Sequence, residues 1–276
     1  TLFPCPKRQI GRAPVRQKVK LSLFRTGVSD KELIKIAVKS LGLDELYPFE
    51  PDKKIIEYIL EKEADKGKKK LVDMTLTEFA NETASESPAP GGGSISAYMG
   101  ALGAALGSMV ANLSSHKCGW DERWEEFSDW AEKGKAYQTE LMKLVDEDTN
   151  AFNRIMDAFG LPKKTEAEKA ARQQAVQEAT RYATEVPFKT MRLCYECMSV
   201  AKAMAETGNP NSVTDAGVGA LAARAGVMGA FLNVKINAAG LEDKAFAADI
   251  IRQGETIAEK ASQLEAEILG IVNSKI

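Results

Sequence analysis

The sequence predicts an all-α fold, a multi-helix bundle with close-packed small-residue helices. Three observations carry that expectation. Apolar residues recur at helical spacing over segments far longer than strands. Several of these segments open on a capping signal and close on Gly or Pro. Alternation of β-branched and polar residues over a strand length is missing throughout.

The elements follow in order. Residues 1 to about 27 contain proline and seven basic side chains without an acid, and read as a basic, poorly ordered arm. "SDKELIKIAVKSLGL" repeats Leu33, Ile34, Ala37, Val38 and Leu41 on one face; Ser29 or Asp30 caps it and Gly42 stops it. "EPDKKIIEYILEKEA" reads as one further helix from Pro51. The charged run 65–71 reads as a linker and the main domain boundary, giving segments 1–27, 28–64, 65–71 and 72–276.

Beyond it nearly everything is helical in pattern. Thr75 with Glu78 forms a capping box, as does Thr165 with Glu168. Gly92 to about Leu113 is apolar and free of charge. A long helix from about Asp121 to Phe159 carries a stripe expected to be buried, Trp124, Phe127, Trp130, Leu141, Leu144, Val145, Phe152, Ile155 and Phe159, and Pro162 ends it. The segment after Thr165 is expected to stop before Pro187, which starts a new helix ending at Gly208. "GNPNSVTDAG" is a loop, a helix to about Asn237 follows, and "LEDKAFAADIIRQGETIAEKASQLEAEILGIVN" closes the chain.

Composition excludes several functions. A net charge of −2 gives no reason to expect a nucleic-acid partner. Four cysteines in 276 residues make no disulfide framework and fit a reduced, cytoplasmic setting. No apolar core follows the basic N-terminus, so no secretory signal is read. His116 is the single histidine, so acid–base chemistry falls to carboxylates, Lys, Tyr or Cys, and no metal site is expected. Cys194 and Cys197 lack two further ligands at usable spacing.

"PAPGGGSIS", residues 88–96, opens the uncharged segment. It lacks the lysine and preceding strand of a phosphate loop. The apolar run is long enough to cross a bilayer but has no aromatic belt or basic flank, so no membrane contact is expected. Its small residues, Gly103-x-x-x-Gly107 among them, match those of the later segment with Gly219, Ala223, Gly226 and Ala230, and predict two helices crossing closely. Gly91, Gly92, Gly93 and Ser94 lie at a helix N-terminus, where free N–H groups suit an anion. Either they hold a substrate oxygen or they make a tight turn into a packed helix.

These residues carry a family likeness. "SPAPGGGSISAYMGALGAALGSMV", "LVDEDTNAF" at 144–152, "LPKKTEAEK" at 161–169 and "VMGAFLNVKIN" at 227–237 resemble the formimidoyltetrahydrofolate cyclodeaminases over residues 72–276. Residues 31–60 look like the C-terminal end of the formimidoyltransferase half of bifunctional members. The resemblance implies a helical domain that forms a homodimer or larger homo-oligomer and binds folate, polyglutamylated forms included, near the interface. It implies release of ammonia from 5-formimidoyltetrahydrofolate to give 5,10-methenyltetrahydrofolate. No cofactor is implied beyond the tetrahydrofolate substrate itself. The family's acid–base residue is the second aspartate of Val-Asp-x-Asp-x-x-Ala-Phe, Asp148 here. Methenyltetrahydrofolate cyclohydrolases share the fold and are the rival reading; a non-catalytic dimerisation module is another.

The chemistry suits such a residue. Ring closure takes a proton from the folate nitrogen N10 and delivers one to departing ammonia, and one carboxyl can do both. Asp148, Ala151, Phe152 and Ile155 share a helix face, which implies burial and a raised pKa, whereas Asp146 turns outward or assists. Asn211 and Asp215 are either caps or contacts to the pterin edge, together with Asn209 and Ser212. Asn233 and Asn237 share a face and meet either folate or a neighbouring helix. Lys117, Lys133 and Lys135 either meet folate glutamates or form a charged surface.

Overall fold

A computed structural model describes residues 30–45, 47–64 and 70–276. The basic arm, the Ser29 cap and the charged linker 65–69 lie outside the described residues. Every regular element among those described is a helix.

The first segment holds α1 (Asp30–Ser40), α2 (Pro51–Lys54) and α3 (Ile56–Ala64). Gly42 follows α1 with φ +64°, the left-handed stop its position suggests. The single helix expected from Pro51 is divided, because Ile55 takes an extended backbone between α2 and α3. Two successive β-branched residues, Ile55 and Ile56, weaken the helix there.

The main body comprises α4 (Leu76–Thr83), α5 (Gly92–Ser115), α6 (Trp124–Gly160), α7 (Glu166–Thr207), α8 (Val213–Ala239) and α9 (Lys244–Asn273). Both capping boxes form, Thr75 with Glu78 and Thr165 with Glu168. Helix α5 is the centre, packed on α6, α7 and α8, and α9 covers α7 and α8. Pro187 does not start a helix; it lies inside the 42-residue α7. A proline leaves the carbonyl four residues earlier without its helical donor. Here that carbonyl, Ala183 O, accepts a 2.6 Å hydrogen bond from Asn237 Nδ2 of α8. The neighbouring helix supplies what proline removes, so the helix continues.

Small residues set the packing distances. α5 and α8 run antiparallel, with Gly92 beside Asn233, Ser96 beside Gly229 and Gly103 beside Gly219 and Ala223. The two glycines of Gly103-x-x-x-Gly107 serve different neighbours: Gly103 meets α8, and Gly107 meets Val200 of α7. A Cβ at Gly103 would stand 2.6 Å from Gly219 O and 2.9 Å from Ala223 N, both backbone atoms that cannot yield. Gly103→Ala is therefore expected to cost about 2 kcal/mol or more, lowering the melting temperature by roughly 4–8 °C. Gly270→Ala, within α9 and with open space at its Cβ, should raise it slightly through helix propensity. Thermal unfolding of the two variants checks the contrast.

Helices α5 and 210–239 are long and apolar enough to cross a membrane by composition; 61% and 50% of their apolar windows are buried within this fold. Cys194 and Cys197 are buried against α5, Cys194 at Gly100. Burial pushes both thiols up, Cys197 to about 12, so they pack as small apolar groups.

Candidate active site

The site exists because two neighbouring helices end at different heights. Ser94, in the first turn of α5, lies beside Asp148 of α6. α6 continues past that point to Gly160 with no α5 beneath it. Phe152 and Phe159, expected in the buried stripe, are consequently 37% and 49% exposed, whereas Phe127, Leu141, Leu144 and Val145 are buried as read. The overhang leaves a cleft of about 180 Å³. Pro88, Ala89 and Gly91 line it before α5, Gly92 at the first position of α5, Asp148, Thr149, Ala151, Phe152 and Ile155 on α6, Ala183 on α7, and Asn233 and Asn237 on α8.

Asp148 is the one titratable group among the described residues that line this cleft. Its Oδ2 accepts from Ser94 N–H at 2.9 Å and lies 3.2 Å from Ser94 Oγ. The carboxylate therefore caps α5 from a neighbouring helix, where the N-terminal dipole favours negative charge. A Cβ on Gly93 would fall 2.0 Å from Asp148 Oδ1, and one on Gly92 would fall 3.2 Å from Asn233 Nδ2. The glycine at 93 is thus required by the close approach of Asp148 from α6, and a methyl at 92 would press on Asn233 of α8 by a few tenths of an ångström. Burial raises the Asp148 pKa, and the Ser94 hydrogen bonds partly oppose it. The anion-favouring helix terminus, which the sequence offered to a substrate, is occupied by the protein's own carboxylate.

The other site residues divide. Gly91 and Gly92 line the cleft, Gly93 carries the Asp148 carboxyl, and Ser94 is fully buried with its hydrogen bonds directed to α6. Ser94 thus has no surface to offer a substrate. Asn233 lines the cleft, with its Nδ2 bonded to Gly229 O of its own helix at 2.9 Å. Asn237 lines it too, and its Nδ2 holds Ala183 O, the helix-to-helix alternative. Asn211 and Asp215 do not join them. They lie at the opposite end of α8, where Asn209 accepts from Asn211 N–H. Eighteen residues of helix separate Asp215 from Asn233, roughly 27 Å at 1.5 Å per residue.

Asp146 is not simply outward; its Oδ1 accepts from Leu71 N–H at 2.6 Å and anchors the segment entering the body. Glu147 accepts from the Tyr182 hydroxyl, and Arg154 stacks over that ring. Lys117 and Lys133 lie over Trp120 and Trp130, and Lys135 donates to Gln138. Two lining residues, Thr149 and Ala183, were not anticipated. Thr149 has a buried hydroxyl without a hydrogen-bond partner. A helical threonine ordinarily bonds a carbonyl one turn back, but Val145 O accepts from Ser94 Oγ at 2.8 Å. Nothing local in the sequence around Thr149 signals that competition.

A carboxyl whose proton affinity is raised, an apolar wall and two amides make a site able to exchange a proton with a bound ligand. The formiminotransferase-cyclodeaminase family matches residues 75–256, and the formiminotransferase domain matches residues 17–61. The chain is 42% identical over 202 residues to the methenyltetrahydrofolate cyclohydrolase of Methylorubrum extorquens, covering 73% of this chain and 97% of that protein. It is 33% identical over 249 residues to the formimidoyltransferase-cyclodeaminase of Rattus norvegicus, covering 90% of this chain and 46% of the relative. The chain thus spans somewhat under half of such bifunctional relatives. The crystal structure of the formiminotetrahydrofolate cyclodeaminase from Thermotoga maritima superimposes with a TM-score of 0.65 at 25% identity, covering 73% of this chain and 97% of that one.

Proposed function

The chain belongs to the formiminotransferase-cyclodeaminase family, and from that premise we propose that the cleft beside Asp148 converts 5-formimidoyltetrahydrofolate to 5,10-methenyltetrahydrofolate and ammonia. The observation that carries this reading is the Asp148 carboxyl, tied at Oδ2 to the first turn of α5 and lining a cleft with no other titratable group among its described residues. Oδ1 makes no hydrogen bond among the described residues, and the proton exchange with substrate is assigned to it.

The steps balance around that oxygen. N10 attacks the carbon of the protonated formimidoyl group, and the N10 proton passes to the Asp148 carboxylate. The same proton then goes to the amino nitrogen, the carbon–nitrogen bond breaks, and ammonia leaves with the methenyl cation behind. Both reacting atoms belong to one bound molecule, so much of the acceleration comes from holding them at attack distance. Phe152 and Ile155 supply an apolar wall, and the Asn233 and Asn237 carbonyl oxygens offer polar contacts.

A cleft of about 180 Å³ is smaller than the ~300 Å³ at which small-molecule sites begin. It takes a ring system, and the remainder of a folate extends past it. The adjoining surface suggests what completes the wall. Val218, Leu221, Leu232 and Ile236 form an exposed apolar stripe along α8, and Leu102, Met109 and Leu113 a second along α5. Neither stripe carries a charge, and contiguous apolar surface of this kind marks an interface. A second copy of the chain is the occupant proposed, bordering the cleft through Leu232 and Ile236, which adjoin Asn233 and Asn237. Arginine at both 232 and 236 should convert a dimer to a monomer in analytical ultracentrifugation. A wild-type chain that sediments as a monomer at micromolar concentration would remove the proposal.

The 42% identity to a cyclohydrolase over nearly all of its length favours a second reading, water addition to the methenyl carbon. One assay separates them. With 5-formimidoyltetrahydrofolate, ammonia and methenyl absorbance should rise together; if only supplied methenyltetrahydrofolate loses absorbance faster than in buffer, the hydrolytic reading stands instead.

A further inference from the structure

Ser94 holds one hydroxyl proton between two acceptors. Its Oγ lies 2.8 Å from Val145 O and 3.2 Å from Asp148 Oδ2, while its N–H donates to the same Oδ2 at 2.9 Å. The side chain is fully buried, so no solvent competes for that proton. We propose that Ser94 is a positioning residue whose hydroxyl re-aims between the Asp148 carboxylate and the Val145 carbonyl as Asp148 takes up and returns the substrate's proton. The inference rests on the acid–base reading of Asp148.

The two arrangements each satisfy the polar atoms present. When Asp148 is ionised, the Ser94 hydroxyl turns to Oδ2, which then accepts two hydrogen bonds from one residue. When Oδ1 carries the proton, Oδ2 keeps the Ser94 N–H, and the hydroxyl turns to Val145 O. No proton passes through Ser94; only its direction changes. A charge appears and disappears in a buried place, and a rotating hydroxyl answers it without movement of the backbone.

Other charges around Asp148 are committed elsewhere. Helix α5 contains none. On α6, Asp146 accepts from Leu71 N–H, and Glu147 accepts from the hydroxyl of Tyr182 on α7. On α7, Glu185 pairs with Arg181. On α8, Lys235 lies over Phe231, and the cleft side presents Asn233 and Asn237. The segment 84–91 carries Glu86 alone, which is exposed. Ser94 is thus the group best placed to set the proton affinity of Asp148.

The test is the pH dependence of kcat/KM with 5-formimidoyltetrahydrofolate, joined to a ¹³C-carboxyl titration of Asp148 in the folded chain. Ser94→Ala removes a hydrogen bond to the ionised form, so the Asp148 midpoint and the acid limb of the rate profile should both move up by about one pH unit or more. Ser94→Cys, a weaker donor of similar size, should move them part of the way and serves if the alanine variant fails to fold. A role in packing alone would lower the rate at every pH and leave the midpoint in place; that result overturns the proposal. Asp148→Asn keeps the two ideas apart. If it retains turnover, the reading of Asp148 falls, and the carboxyl titration of the Ser94 variants still decides whether Ser94 controls that group.

Discussion

Asparagine at position 148 is expected to lower turnover of 5-formimidoyltetrahydrofolate by a hundredfold or more. Proton transfer by a positioned side chain is worth about 10²–10⁴ in rate, and the amide can neither take up nor return the N10 proton. The substitution is nearly isosteric, and the Asn oxygen can still accept from Ser94 N–H. Stability has a definite sign as well. The folded-state pKa of Asp148 is raised, chiefly by burial. What the protonated group contributes is present below the ordinary aspartate range and lost as pH rises through the raised value. At neutral pH the wild-type fold therefore bears the cost of a buried charge that asparagine does not. The melting temperature of the asparagine variant at pH 7 should therefore hold or rise, by up to about 3 °C. Loss of activity together with loss of the fold would point to a structural aspartate. Retained turnover would remove Asp148 from the mechanism altogether.

Alanine at Gly93 should reach a similar loss by another route. The added methyl would stand 2.0 Å from Asp148 Oδ1 and 2.5 Å from its Cγ. The carboxyl must swing away, breaking the Ser94 contacts that hold it at the end of α5. A displacement near 1 Å at a reacting group costs on the order of a hundredfold. kcat is expected to fall by about that factor, with KM changing far less, because Gly93 itself is absent from the lining of the cleft. Gly91→Ala supplies the comparison: the nearest atom to its new Cβ is Pro88 O at 3.8 Å. Full activity in both variants would show that the carboxyl does not need its place against α5.

The contrast between these glycines shows where sequence reasoning reaches its limit. That a glycine run begins an apolar helix is legible, and so is the cost of such a run without a reason. The reason itself is a side chain 55 positions later. Asp148 was singled out through its motif and its apolar neighbours at three, four and seven residues. Its partner Ser94 is left open between a substrate contact and a packed turn, because a hydroxyl at a helix start looks equally available to a ligand and to another helix. Asn211 and Asp215 carried the same ambiguity, and α8 places them at the far end of the bundle from Asn233. Pro187 is ambiguous for a related reason: a proline is better tolerated inside a helix when its orphaned carbonyl finds another donor, and Asn237 supplies one.

What the chain determined by itself is local. Period, capping boxes, charge-free stretches and the stops at Gly42 and Pro162 depend on residues a few positions apart, whose geometry any helix imposes. The helical class and the order of the long helices follow from them. Only the folded body decided that α6 overhangs the start of α5, that the overhang opens a cleft, and that a carboxylate rather than a ligand occupies the helix terminus inside it. Those outcomes depend on how far one helix slides along another before backbones touch. That is a property of packed surfaces, set by atoms more than fifty residues apart.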